Sequence, residues 1–291
     1  MRAIRFVPLA AMILLCNLSA AAEFVGDFAS TPDRVWIGPA YWANPMEDWR
    51  VHDGRLECLS NGGNRNVHVL THQLADRAGS FDMSVQVGLL EQRPNGSVGF
   101  RVGIADQIVD YRGNCFWGTG VNAVLTANGH LVVADQRKKL ARGIDLNDVT
   151  LRLAAAPDGD LYRLTLIATG PDGAKLGELS AQVEPEALVG NIALVHNHTP
   201  ANNAARFWFR NWTIRGDKVQ TDAKQTFGPI LWSMYTLSDS RGDDGYVLRM
   251  TAQMPPLGEA DSREVKLEIE RGGQWQEIGR EAIEPDSRTA T

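Results

Sequence analysis

The sequence is short of cysteine, of clustered basic residues and of long apolar runs, and each shortage narrows what the chain does. Its 291 residues hold only three cysteines. No basic run exceeds Arg137-Lys138-Lys139, and acidic residues outnumber basic ones 35 to 29. That balance argues against a surface that tracks nucleic-acid phosphates. No apolar stretch reaches the ~20 residues needed to span a bilayer. No amphipathic helix of any length is visible; Glu184 to Leu188 offers a single turn. Apolar residues themselves are plentiful, at 44% against 22% charged, which excludes a disordered or collagen-like chain.

Arg2 and Arg5 precede an apolar run from Phe6 to Leu15, followed by Ser19-Ala20-Ala21-Ala22. A positive start, a short apolar centre and a small-residue exit form a secretory signal peptide. Cleavage is expected after Ala22, placing the mature chain in a secreted or periplasmic setting with 27 basic residues against 35 acidic, a charge of −8. Cys16 leaves with the leader, so Cys58 and Cys115 remain. In an oxidising compartment they are a natural disulfide pair, worth about 4 kcal/mol through loop closure. Two separately buried thiols are the alternative.

From residue 24 to 215 the pattern has period two. Phe81, Met83, Val85, Val87 and Leu89 alternate with Asp82, Ser84, Gln86 and Gly88; Val98, Phe100, Val102 and Ile104 alternate with Gly99, Arg101 and Gly103. Such strands bury one face and wet the other. Asp53-Gly54, Asn95-Gly96, Asn128-Gly129, Asp158-Gly159 and Asp172-Gly173 supply hairpin turns between apolar runs. The prediction is an all-β sandwich over residues 23–218, a linker over 219–228, and an immunoglobulin- or fibronectin-like sandwich over 229–291. Four strands are visible in that last stretch, where a whole domain of this kind needs about seven. It reads as incomplete, as in a truncated reading frame.

Two sets of phrases carry a family resemblance. Trp49 to Cys58, Ser97 to Gly103, Leu188 to Leu194 and Ala205 to Trp212 resemble strands of concanavalin A-like lectin/glucanase jelly rolls. Val35-Trp36-Ile37-Gly38-Pro39-Ala40-Tyr41-Trp42-Ala43-Asn44-Pro45, and Phe227-Gly228-Pro229-Ile230-Leu231-Trp232 with the residues to Ser238, resemble the amino-terminal part of large secreted bacterial PhoD-like alkaline phosphatases. There, the resemblance implies, a jelly roll and an immunoglobulin-like domain precede a metallophosphoesterase domain with a metal pair. This chain departs from that chemistry. It has no Asp-x-His and no Gly-Asn-His, and Gly242-Asp243-Asp244-Gly245-Tyr246 reads as a turn. A non-catalytic accessory region is therefore expected, carbohydrate-binding or positioning. A free-standing carbohydrate-binding or adhesion module is the first alternative and a jelly-roll glycoside hydrolase the second. The glucanase spacing Glu-x-Asp-x-x-Glu is also missing.

No catalytic residue and no metal ligand is assigned, and no cofactor is expected in this chain; calcium in the loops stays open. His68 with His72, and His196 with His198, share strand faces if extended, but nothing in the sequence brings the pairs together, and wet faces or strand ends are their expected places. Trp42, Trp49, Tyr111 and Trp117 lie in stretches rich in Gly, Asn and Pro, where an aromatic ring can stack on a sugar. With His196 and His198 they form the candidate ligand-binding set. Trp208 and Trp212 read as core. The expected partners are a glycan or a downstream catalytic domain, with no nucleic acid and no membrane span.

Overall fold

A computed structural model describes residues 22–105, 120–141, 145–200, 202–239 and 245–291. Alternation along the chain produces two antiparallel sheets packed face to face. The first runs β13 (Lys175–Val183), β12 (Leu161–Thr169), β11 (Val149–Asp158), β6 (Phe81–Glu91), β15 (Arg206–Gly216), β4 (Arg55–Cys58) and β3 (Trp49–His52), with β1 (Ala22–Val25) added to β15. The second runs β10 (Gln136–Lys139), β9 (His130–Val133), β8 (Val121–Thr126), β7 (Ser97–Ile104), β14 (Gly190–His196), β5 (Arg65–Leu74) and β16 (Val219–Thr221), with β2 (Tyr41–Asn44) on β5. Residues 22–221 are thus an all-β, concanavalin A-like jelly-roll sandwich. The two helical elements among the described residues are 3-10 turns, Met46–Asp48 and Pro185–Leu188. No described helix is long and apolar enough to cross a membrane.

The period-two residues face the shared core. Phe81, Met83, Val85 and Val87 are buried while Asp82, Ser84 and Gln86 between them are half-buried. Val149, Leu151, Leu153 and Ala155 of β11 sit opposite them in register. Each such Val, Leu or Phe contributes about 1.5–3 kcal/mol on burial. One end of the core is closed by rings: Phe28 stacks on Tyr41 at 4.9 Å between centres, and Phe24 meets Trp212 edge-on at 5.3 Å. The Tyr41 hydroxyl donates to Asp27 Oδ1 at 2.9 Å. Burial and that carboxylate hold its proton far above the usual tyrosine range.

Four of the five turn dipeptides lie where paired strands meet. At Asp53 and Gly54 both φ values are positive (52° and 68°), as a tight hairpin turn requires. Asn95-Gly96 differs. It links β6 of one sheet to β7 of the other, so it is a crossing between layers and not a hairpin. Glycine is needed there because φ is 125° and a Cβ would lie 2.8 Å from Asn197 Oδ1.

The stretch expected as linker starts inside the sandwich. Val219–Thr221 pairs with β5, Val219 is in the core, and the neighbouring Lys218 is buried, donating to the Ala75 and Arg77 carbonyls at 3.2 and 2.9 Å. Beyond it, the Phe227 amide donates to the Pro39 carbonyl at 2.8 Å and Gly228 rests on the Trp36 ring. Arg34 forms an ion pair with Asp261. Residues 229–291 form a three-stranded sheet, β17 (Trp232–Ser238), β18 (Val247–Gln253) and β21 (Thr289–Ala290), and the two-stranded β19 (Glu264–Arg271) with β20 (Gln274–Ala282). Their buried core is Met254, Ile283 and Ala290. Tyr235 and Trp275 are exposed at 71% and 67%, with Trp232, Met234, Leu237 and Ile278 also on the surface.

Trp212→Ala should therefore lower the stability of the sandwich by about 3–5 kcal/mol, read as a shifted urea midpoint; an unchanged midpoint would show that the ring cluster does not hold this end of the core.

Candidate functional site

Period two gives the second sheet an outer face, and the register aligns residues across it. Trp42 pairs with His68, His68 with Ala193, Ala193 with Arg101, and Arg101 with Asn122, one row spanning five strands. The adjacent row holds Asn66, Val195, Gly99 and Val124. Beyond its end, where Ser97 faces Thr126, a cleft of about 530 Å³ opens. Its wall is polar: Ser97, Thr126, Asn128, Arg137, Asn197 and His198 line it together with Asp135 and neighbouring loop residues.

Asn197 holds the cleft in shape. Its backbone is left-handed, with φ 55°, which asparagine tolerates better than most residues. Its Oδ1 accepts from the Ser97 amide at 2.8 Å, and its Nδ2 donates to the Gly62 and Ala205 carbonyls at 3.1 and 3.3 Å. Ser97 Oγ accepts from the His198 amide at 3.1 Å and lies 2.6 Å from His198 Nδ1. One proton lies between these two atoms, supplied by the hydroxyl or by the ring according to the tautomer. Burial, then Arg101, then Arg137 hold His198 below the usual histidine range, so it is neutral at pH 7.

Arg101 lies outside the cleft wall and meets it only through His198. Its Nε donates to Asn122 Oδ1 at 2.9 Å, Nη1 to Asn64 Oδ1 at 2.6 Å and Nη2 to the His198 carbonyl at 3.1 Å. The residue is 6% exposed, while Asn64, Asn122 and His198 are half-buried. Arg137 and Lys139, alternate residues of β10, both depress the proton affinity of His130 after burial does. They therefore bring their charges to the same side as His130.

The expected ligand set divides. His198 lines the cleft. Trp42 is half-buried and sits against His68, 5.8 Å between ring centres. Trp49 and His196 do not reach the surface: both are fully buried, and the His196 ring lies between Trp49 (6.3 Å) and Phe207 (5.7 Å). The reason is again parity, since both side chains project from strand ends toward the core and not along a loop. Tyr111 and Trp117 lie outside the described residues. So does Cys115, the expected partner of Cys58, whose thiol is buried and pushed up to about 12, mainly by burial.

The histidine pairs are also separated. An irregularity in the pairing of β5 with β14 lies between Val69 and Gln73. It takes His72 to Phe24 at 5.2 Å, while His68 stays beside Trp42. His68 is buried within β5 and not on a wet face or at a strand end as expected; His196 does end its strand, but is buried there. Among the described residues no three His, Cys, Asp or Glu side chains are grouped to hold a metal ion. Trp212 is core as expected; Trp208 is buried with Arg55 and Arg210 over its ring. Sequence reading missed Arg101, Asn64, Asn122 and Arg137. The signal for Arg101 was present: it shares a strand face with Gly99 and Gly103, opposite Val98, Phe100 and Val102.

No protein-family model matches this chain, and no curated protein matches it. Among solved structures it is similar to lectin II from Ulex europaeus, at 11% identity, covering 68% of this chain and 98% of that one with a TM-score of 0.48. Lectin I-B4 from Griffonia simplicifolia in its metal-free form aligns at 14% identity over 67% and 99%, TM-score 0.47. Lectin UEA-II complexed with galactose aligns at 11% identity over 68% and 99%, TM-score 0.48.

Burial pushes His196 down to about 3, with Arg65 adding, and His68 down to about 4, with Arg101 adding. Both rings are neutral in the folded chain and protonate near the ordinary value of 6.5 only when it unfolds. The stability they carry is intact above pH 6.5 and lost as pH falls toward 4. Each should contribute a slope of about 1.4 kcal/mol per pH unit in that window. His196→Phe should flatten the decline in urea-measured stability between pH 6.5 and 4.5, and a slope unchanged from the parent would contradict the assignment.

Proposed function

We propose that the sandwich is a secreted carbohydrate-binding module and that its ligand lies in the cleft at the end of the second sheet. One observation carries the reading: side-chain amides, hydroxyls, an imidazole and a guanidinium converge on a cavity of about 530 Å³. Hydroxyl-rich sugars are recognised by such groups, each able to donate or accept at a fixed place. Trp42 stands on the same sheet face as an apolar platform for a sugar ring. One of the aligned lectins is complexed with galactose; the proposal for this chain rests on its own cleft.

The wider part of the proposal is that the module serves as an accessory region beside a metallophosphoesterase domain, as in the PhoD-like proteins it resembles. The segments that carry the resemblance touch each other: the Phe227 amide bonds to Pro39, and Gly228 packs on Trp36. The second unit is thereby seated on the sandwich, a suitable arrangement for a region that positions a downstream catalytic domain.

A glycan array probed with the full mature chain tests the module. Binding is expected, with His198→Ala and Arg137→Ala each weakening it about tenfold, the share of one or two lost hydrogen bonds. An array that stays blank removes the reading. Phosphatase activity of the same preparation, with zinc or magnesium added, is expected at background; metal-dependent turnover would overturn the accessory role.

A further inference from the structure

The strands after residue 229 leave one sheet edge open. β17 covers one side of β18 from Val247 to Gln253; on the other side, β21 meets it at Ala252 and Gln253. Successive residues of a strand turn their N–H and C=O groups to opposite sides. The Gln253 carbonyl accepts from Leu231 on the β17 side, and the Met254 amide donates to Arg288 on the β21 side. By that alternation Leu248, Met250 and Ala252 turn their backbone groups toward the β21 side. Ala252 faces Ala290 there, while those of Leu248 and Met250 meet no strand among the described residues.

The side chains at these positions leave room as well. Ala252 packs on the small core of Met254, Ile283 and Ala290, so Met250 and Leu248 point to the same inner face. Met250 is half-buried and Leu248 is 55% exposed. Across from them stand Val265 and Leu267 of β19, and a cavity of about 690 Å³ lies between. An open backbone ladder thus runs along an apolar cavity, the two elements that strand addition uses: hydrogen bonds for affinity and pockets for alternate side chains.

We propose that this edge receives an extended segment of a partner polypeptide, antiparallel to β18 as β21 is, that reads apolar–acidic–apolar. Its two apolar residues sit opposite Leu248 and Met250 and fill the cavity. Its acidic residue sits opposite Arg249, which period two places on the outer face, where opposite charges across strands stabilise the pair. The same arginine disfavours a second copy of this chain. A two-fold pairing of β18 with itself that uses both Leu248 and Met250 sets Arg249 against its own copy, like charges directly opposite. A pairing centred on Met250 needs Ala252, which β21 already holds, and one centred on Leu248 runs past Val247, where β18 begins. The surface belongs to the second unit, so its occupancy is independent of sugar in the cleft.

The test is fluorescence anisotropy of the full mature chain with a labelled peptide centred on valine–glutamate–valine and flanked by threonines. Saturable binding is expected. N-methylation of the two valine amides, which donate to Leu248 and Met250, should weaken it at least about tenfold, the share of two hydrogen bonds. N-methylation of the glutamate amide, which points away, should leave it unchanged, and lysine in place of that glutamate should weaken it several-fold. Leu248→Lys, at a position already exposed in the free chain, should weaken the parent peptide about tenfold, as one lost apolar contact and one added charge require. Leu267→Lys, on the facing sheet, should do the same, and it decides the matter if Leu248→Lys fails to fold. Absence of saturable binding, equal affinity for the valine-methylated peptide, or affinity unchanged in both variants overturns the inference. So does a chain that sediments as a dimer and becomes monomeric on Leu248→Lys, since a second copy then holds the edge.

Discussion

A slip of one residue in the pairing of Ser97–Ile104 would drive Arg101 into the apolar interior and turn Phe100 out onto the cleft side. The register of this strand against β8 and β14 is the constraint on which the site depends. Val98, Phe100 and Val102 fix it from within, because each is fully buried in the shared core. Asn197 fixes it at the end, bonding to the Ser97 amide while gripping the Gly62 and Ala205 carbonyls. Core packing thus decides which side chains line the cleft, and the cleft residues themselves supply little of the energy that holds them there.

Desolvation shapes the chemistry of the same face. Histidine beside a buried arginine loses its proton readily, and His68 and His198 both do so next to Arg101. The result is a concentration of hydrogen-bond donors with positive charge kept on the arginines and Lys139. Elsewhere the fold meets its buried charges in two ways, with ion pairs such as Arg50–Glu57–Arg55 and with backbone carbonyls, as at Lys218.

Much of the fold was legible because side-chain alternation is local. Phe81 to Leu89 and Val98 to Ile104 announce strands without knowledge of their neighbours, and Pro185–Leu188 forms the single turn that its length allowed. Sheet membership was not legible. Asn95-Gly96 has hairpin composition, yet it joins strands from different layers, and only long-range pairing reveals this. The site was harder still. Trp49 and Trp42 look alike in sequence, but one faces the core and the other the outer face, a difference fixed by parity within each strand. Arg101 is a single residue in β7; its importance comes from Asn64, Asn122 and His198, which three separate segments deliver to it.

The small second unit has a different balance. Among its described residues three buried ones form its core, and its anchorage to the sandwich includes Arg34–Asp261, Phe227–Pro39 and Gly228 on Trp36. Its strands display Tyr235, Met234 and Trp275 to solvent. A unit that buries so little draws its cohesion from its neighbour and from backbone ladders, not from its own interior. Heating should accordingly separate the molecule into two steps, with the strands after residue 229 exchanging their amide protons and admitting proteases while the jelly roll beneath them is still intact.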